Sequence, residues 1–341
     1  MKTTIITSQK QMVFPRGTVV HSSHASTLLP LPQRTGGRDS RGSTPQSQQT
    51  TDVLTAWFGG TKEGDNDVTI YTALRSNGVW QTPQQVFVDR KMPHWNPVLF
   101  MGSDGRIVLF LKYGKSPAVW KTYTATSTDG GKTFGKPVEL VKGDNSGGRG
   151  PVKNKCLRLK DGRVLAPGSS ELISWRCFAD VSEDDGRTFT RSKFIVRPKV
   201  AGLPVGMIQP TLWESDSGIH MFVRTNKGFI YRSDSKDGIH WCKAYKTPLL
   251  NNNSGIDIAQ LADGSLVLIS NPVGDNWGNR TPLTLMRSFD DGETFEEFIK
   301  LEDEKGDHEF SYPAIVAQGM KLFITYTYER ESIAFWELEV E

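Results

Sequence analysis

An octapeptide that recurs along the chain limits its fold more than any other feature. Ser127-Thr-Asp129-Gly-Gly131-Lys-Thr133-Phe134 returns as Ser182-Glu-Asp184-Asp-Gly186-Arg-Thr188-Phe189 and as Ser288-Phe-Asp290-Asp-Gly292-Glu-Thr294-Phe295. The copies start 55 and 106 residues apart, one period and about two. A degenerate copy stands at Ser235-Lys-Asp237-Gly238-Ile-His-Trp241 and a faint one at Ser76-Asn-Gly78-Val-Trp80. Each reads as a tight hairpin turn. The Asp caps backbone N–H groups, the Gly takes a conformation closed to other residues, and the aromatic anchors the returning strand. A repeat of this length calls for a solenoid or a radial array of small sheets.

A second repeat runs out of phase with the first. Pairs of apolar strands flank short turns centred at 104, 161, 217, 263 and 319, spaced 57, 56, 46 and 56 residues apart. Asp-Gly between apolar runs, as at Asp104, Asp161 and Asp263, is a strong hairpin signal. A sixth pair is Ser26-Thr-Leu-Leu-Pro-Leu with Val53-Leu-Thr-Ala-Trp-Phe. Its turn is replaced by a polar insertion over 32–51, expected to be a mobile loop because its composition cannot bury a core. Six inner hairpins, each followed by an outer pair carrying the aspartate turn, predict an all-β fold. It is a six-bladed β-propeller of four-stranded antiparallel blades, closing without long free edges. N-terminal Thr3-Thr-Ile-Ile is expected to pair with Ile333-Ala-Phe-Trp-Glu-Leu-Glu and seal the ring. A solenoid has no use for matching ends and is the weaker alternative. No linker interrupts the pattern, so residues 1–341 are expected to form one domain.

Composition narrows the function. A net charge of +3 over 341 residues is too small to argue for nucleic acid, and it is compatible with an acidic substrate. Cys156, Cys177 and Cys242 are odd in number and widely spaced, which implies no disulfide framework and no metal spacing. No run is apolar enough to span a membrane. The first ten residues lack the apolar core of a signal peptide, so the expected location is intracellular, or secreted with a leader removed.

In a propeller, one end of the inner hairpins faces a central funnel. The turns mark the far end, so residues before each first strand and after each second strand line the near end. They include His21, His24, Glu63, Asp65, Asp67, His94, Trp95, Asn96, Arg149, Lys153, Lys155, Glu171, Arg176, Gln209, Arg224, Asn253, Asp257, Arg280, Tyr312, Tyr328 and Glu329. Arg and Lys with carboxylates and aromatic rings suit an anionic sugar: forked guanidinium bonds for its carboxylate, ring faces for its apolar side. Glu63, Asp65 and Asp67 suit either a Ca²⁺ ion or loop capping, and no cofactor is required.

On these residues the chain resembles the sialidases. The aspartate turns look like their Asp boxes, also called BNR repeats. Met221-Phe-Val-Arg224 resembles the segment of their second arginine, and Ser270 to Phe295, holding Arg280, that of the third. Phe310-Ser-Tyr312-Pro-Ala-Ile-Val resembles the segment of their nucleophilic tyrosine. The resemblance implies a sialidase-like propeller acting on glycans. It also implies a first arginine, where this chain has His21-Ser-Ser-His24. It further implies a glutamate beside the tyrosine, where this chain has Gln209. Glutamine takes no proton from tyrosine at neutral pH.

Four segments bring the chain closer to a subgroup: Glu63 to Asp67, His94-Trp-Asn-Pro-Val98, Gly150-Pro-Val-Lys-Asn-Lys155 and Asn253-Ser-Gly-Ile-Asp257. They are similar to lyases that release L-rhamnose from α-1,4-linked D-glucuronate by β-elimination. That chemistry needs a base, a cation on the carboxylate and an acid for the leaving oxygen. The expectation is His94 as base, Tyr312 or His94 returning the proton, and Glu63 or Asp65 as an acid/base carboxylate. Arg224 with Arg176 or Arg280 binds the uronate. Asn253, Gln209, His24, Trp95 and Lys155 complete the binding set. The alternatives are exo-α-sialidase-type hydrolysis using Tyr312, and a glycan-binding propeller without catalysis.

Overall fold

The computed structural model describes residues 3–32, 50–87 and 91–341. Among them there is no helix, and the strands form a six-bladed propeller. The expected polar insertion over 32–51 lies, apart from its ends, outside the described residues.

Blade one is Ser22–Pro30, Val53–Gly60, Thr69–Ser76 and Val79–Trp80, with the short Gln84–Gln85 also paired to its third strand. Blade two is His94–Met101, Ile107–Tyr113, Lys121–Ser127 and Val138–Glu139. Blade three is Leu157–Arg158, Val164–Ser170, Arg176–Ser182 and Thr190–Arg191. Blade four is Met207–Ser215, Gly218–Thr225, Phe229–Ser235 and Tyr245–Leu250. Blade five is Asp257–Gln260, Leu266–Ser270, Leu283–Ser288 and Glu296–Glu302. Blade six is Phe310–Gln318, Lys321–Tyr328 and Ser332–Val340, and its fourth strand is the N-terminal Ile5–Met12. That strand pairs antiparallel with Ser332–Val340, from Ile5 opposite Val340 to Met12 opposite Ala334. The chain ends thus close the ring through backbone hydrogen bonds.

The core is a ring of six apolar clusters, one at each blade interface. Trp95, Leu99 and Leu109 of blade two meet Leu54, Phe58 and Ile70 of blade one. Met207 and Met221 meet Leu165 and Ala179 between blades four and three. Phe323 and Phe335 meet Trp57 and Val53 where blade six returns to blade one. The remaining three interfaces are filled in the same way. Inner strands are apolar on both faces because both faces are covered. Burying one such large side chain contributes ~1.5–3 kcal/mol.

The aspartate turns join third to fourth strands and lock neighbouring blades together. Asp129 Oδ1 accepts from the amides of Lys132 and Thr133 at 3.0 Å, and its Oδ2 from the Thr133 hydroxyl at 2.6 Å. Ser127 Oγ accepts from Gly131 N at 2.9 Å. The pattern repeats around Asp184 and Asp290, and in shortened form around Asp237. Each turn glycine has a φ of 77–85° and lies against the preceding blade. A Cβ at Gly131 would come within 2.4 Å of Leu54, and one at Gly186 within 2.9 Å of Phe100. The faint copy near Gly78 differs: its Ser76 hydroxyl and Asn77 amide donate to Asp52.

Candidate active site

Near the axis the innermost strands are irregular. Register shifts fall between His24 and Thr27, Trp95 and Val98, Ile208 and Thr211, and Ser311 and Ala314. At each shift one residue takes a left-handed backbone: Ala25 (φ 53°), Asn96 (φ 40°), Gln209 (φ 52°) and Tyr312 (φ 51°). Lys153 (φ 72°) precedes the first strand of blade three. Such φ values are unfavourable for residues with a Cβ and persist only where the surroundings impose them. Bulges of this kind re-aim side chains. Here two of them, at Gln209 and Tyr312, turn side chains from separate blades toward one point.

That point is the guanidinium of Arg224, 2% exposed. Its Nε donates to Asn253 Oδ1 at 2.8 Å. Its Nη1 donates to Gln209 Oε1 at 2.9 Å and to the Tyr312 hydroxyl at 2.7 Å. Its Nη2 meets no acceptor among the described residues. The Tyr312 ring lies between two arginines, with the Arg224 carbon 5.5 Å and the Arg280 carbon 5.6 Å from its centroid. Arg280 Nη1 donates to Glu309 Oε1 at 2.6 Å and to Ser311 Oγ at 3.2 Å. Its Nε and Nη2 meet no acceptor among the described residues. Two guanidinium groups with unspent donors on one phenol make a cage for a carboxylate. Trp175 and Trp277 complete the wall, 5.8 and 5.5 Å from the Arg224 carbon and edge-to-face with each other. Trp277 is 60% exposed, so its ring is open to a ligand.

Charge around the cage is partly balanced. Glu309 also accepts from Arg330 Nε at 2.7 Å, and Arg330 Nη1 reaches Glu63 at 2.5 Å. Burial works against the ionised form of Glu309, but Arg280 and Arg330 outweigh it and hold its carboxyl below the usual range. Glu171 has the opposite balance: burial pushes its carboxyl up, and Arg224 only partly offsets the rise. His24 is buried, with its ring 4.2 Å from that of Tyr312 and Nδ1 sharing a 2.8 Å hydrogen bond with Thr327 Oγ1. Burial, then the charges of Arg330, Arg280, Arg224 and Lys153, keep it a neutral imidazole.

Arg224, Arg280, Tyr312, Gln209, Asn253 and His24 therefore come together, and Glu63 reaches them through Arg330. Four expected residues do not join. His94 lines a separate cavity of about 540 Å³ with Phe87, Tyr113, Tyr123 and Phe134, between blades one and two. Its ring stacks toward Phe87 and Tyr113, and Nδ1 bonds to Val68 O at 3.1 Å. Cross-strand pairing of His94 with Tyr113 directs the ring to that side. Trp95 is buried in the interface of blades one and two, its Nε1 donating to Gly114 O. Arg176 is exposed and stacked 3.9 Å over Phe194. Lys155 bonds to Asp257 at 2.9 Å and to Ile258 O, tying blade three to blade five. Nor do the acidic residues gather as metal ligands. Asp67 accepts from Thr61, Glu63 pairs with Arg330, and no His/Cys/Asp/Glu group among the described residues has metal-site geometry.

Sequence reasoning missed Glu309, Arg330, Trp175 and Trp277. Glu309 directly precedes the Phe310 segment, Arg330 directly follows Glu329, and Trp175 adjoins Arg176. Trp277 lies inside the Arg280 segment, where its ring gave no periodic signal.

The BNR repeat-like domain family matches residues 51–324. No curated protein matches the sequence. Among solved structures, a protein of unknown function from Dyadobacter fermentans is 15% identical with a TM-score of 0.76, covering 99% of each chain. A Hadza microbial sialidase is 14% identical with a TM-score of 0.76, covering 97% of this chain and 68% of its own. Trypanosoma rangeli sialidase, solved with the inhibitor DANA, is 14% identical with a TM-score of 0.69. The match covers 97% of this chain and only 59% of the trypanosome protein. At these identities the likeness is one of fold.

Proposed function

The chain belongs to the BNR repeat-like domain family, and from that premise we propose that it is a one-domain carbohydrate-active enzyme. It cleaves a terminal sugar at an acidic glycan, by β-elimination at a uronate such as L-rhamnosyl-α-1,4-D-glucuronate. The observation that carries this reading is the pair of guanidinium groups, 5.5 and 5.6 Å from one tyrosine ring, with donors left over. Arg224 and Arg280 neutralise the carboxylate, which acidifies the carbon beside it. Tyr312, reacting as the phenolate, is the proton acceptor in place of His94, because its oxygen stands in the cage, 2.7 Å from Arg224 Nη1, while His94 lines another cavity. The C5 proton passes to that oxygen, the C4=C5 double bond forms, and the C4–O bond breaks. Its electron pair leaves on the rhamnosyl oxygen, which is reprotonated by Tyr312 or by Glu171, a carboxyl that burial keeps protonated to higher pH.

Sialidase-type hydrolysis is the second reading, favoured by the fold likeness and by the tyrosine between two arginines. It needs a carboxylate to activate Tyr312, and the hydroxyl instead bonds to Arg224, which also holds Gln209. Incubation with rhamnosyl-glucuronate and with a sialoside in parallel separates the two. Elimination yields a product with the ultraviolet absorbance of an unsaturated uronate, lost in Tyr312→Phe. Release of free sialic acid without that absorbance supports hydrolysis. Saturable glucuronate binding with neither product leaves a non-catalytic glycan-binding propeller.

A further inference from the structure

We propose that Lys153 is a positioning residue for the cage: set on the propeller axis, its ammonium ties the carbonyl of Pro313, the residue after Tyr312, to blades three and five and so holds Tyr312 against Arg224. This rests on the functional reading above only for what the cage binds. Lys153 is 2% exposed, and its Nζ donates to Asn154 Oδ1 at 2.8 Å, to Ile256 O at 2.9 Å and to Pro313 O. A residue of blade three that reaches blades five and six must lie near the axis, because blade six stands opposite blade three in a ring of six. Its neighbour Asn154 extends the same tie, donating through Nδ2 to Gln209 O at 3.1 Å and Pro210 O at 2.9 Å. The prolines so gripped by their carbonyls, Pro210 and Pro313, each follow a left-handed residue, Gln209 and Tyr312 respectively, that contacts Arg224. The grip thus falls on the strained backbone that aims the cage.

Packing supports the same role. Gly255 separates Lys153 from Tyr312: a Cβ there would lie 3.0 Å from Lys153 Cε and 3.2 Å from Tyr312 Cα. The charged groups around the ammonium are Asp257, Lys155 and Arg224, and His24 also feels it. Burial lowers Lys153 to about 7, with Asp257 opposing and Lys155 and Arg224 adding to the fall. The tie is therefore a cation below neutrality and a neutral amine above it. Removing that cation also removes one positive charge from beside the anion cage.

The test is Lys153→Met, which keeps the length of the side chain and removes the charge. Glucuronate affinity is measured by calorimetry from pH 5.5 to 8.5 (values on the order of one pH unit and more either side of neutrality). The wild type should bind more weakly as pH rises through neutrality. The variant should lack that step and bind roughly tenfold more weakly on the acid side, converging with the wild type on the alkaline side. Burial, Arg330, Arg280 and Arg224 still lower His24 in the variant, and Glu171 is shifted by burial and Arg224 alone, so the difference reports Lys153. A crystal structure of the variant should show Tyr312 Oη drawn away from Arg224 Nη1. Retention of the 2.7 Å contact in the variant would overturn the proposal, whatever its pH profile. A wild type that binds no glucuronate at any pH defeats the functional reading instead, and the crystal structure still decides the positioning role. Should Lys153→Met not fold, Gly255→Ala should displace Tyr312 by a few tenths of an ångström and weaken binding in the same direction. An unmoved Tyr312 in that variant would overturn the proposal too.

Discussion

The aspartate turns and the axial cage are both knots of polar side chains, yet they are tied in opposite ways. In the turn at Asp129 every hydrogen bond joins residues no more than four apart. In the cage, Arg224 reaches residues 15, 29 and 88 positions away, and His24 meets Thr327 across 303. A local knot forms wherever its octapeptide occurs, so it can be copied. A cage drawn from several blades exists once, after the ring has closed, and each member occupies a different place in the chain. The turns therefore mark architecture, and the cage is where the proposed function puts recognition of a specific ligand.

The comparison predicts that damage to the cage abolishes function while damage to a turn costs stability. The largest effect should come from Arg224→Met. Losing a buried cation aimed at the ligand should lower kcat/KM for rhamnosyl-glucuronate by about 10³-fold or more. Product absorbance measures it, and near-normal turnover would place recognition elsewhere. Tyr312→Phe should come next, with kcat reduced ~10²-fold or more and KM changed little, because the ring stays and only the proton-handling hydroxyl goes. Equal loss in kcat and gain in KM would make Tyr312 a binding residue instead.

Asp129→Ala should leave both constants unchanged and lower stability by roughly 1–2 kcal/mol, the worth of a lost capping group. Thermal unfolding beside the kinetic assay checks both halves. The smallest effect concerns acid. Hydrogen bonds from the Thr133 hydroxyl and amide and from the Ser127 hydroxyl hold the Asp129 carboxyl far below its ordinary range. A depressed carboxylate stabilises the fold above its unfolded pKa, near ~4, and loses that contribution as pH falls toward the folded value. The melting temperature of Asp129→Ala should therefore decline less steeply below about pH 4 than that of the wild type. Parallel declines would mean that the turn carboxylate contributes nothing to acid sensitivity.

The ring was readable in advance because its signals are local. Asp161-Gly-Arg and Asp263-Gly-Ser mark inner hairpins, Ser127 to Phe134 marks an outer one, and the alternation counts six blades. Closure of the ring by the two chain ends was also legible, but the run after Ile333 pairs with Thr7 to Met12, beyond the expected Thr3 to Ile6, because those mostly polar residues carry no apolar strand signal. Arg224, Arg280 and Tyr312 could be named as funnel residues from the phase of the hairpins. His94 and Trp95 had the same phase, yet they face the interface of blades one and two. A bulge between Trp95 and Val98 decides that, and bulges leave no mark in an apolar pattern.

The sequence by itself determined the architecture: the number of blades, the order of their strands and the end of the ring that faces the funnel. These follow from turns and alternating strands whose interactions span a few residues. Only the tertiary structure decided which funnel residues meet. Gln209 and Tyr312 touch Arg224 because left-handed backbone at the innermost strands turns them inward, and Lys153 crosses the axis to hold that backbone in place. Those contacts link residues up to 160 positions apart, and closure of the ring is what brings such residues within bonding distance.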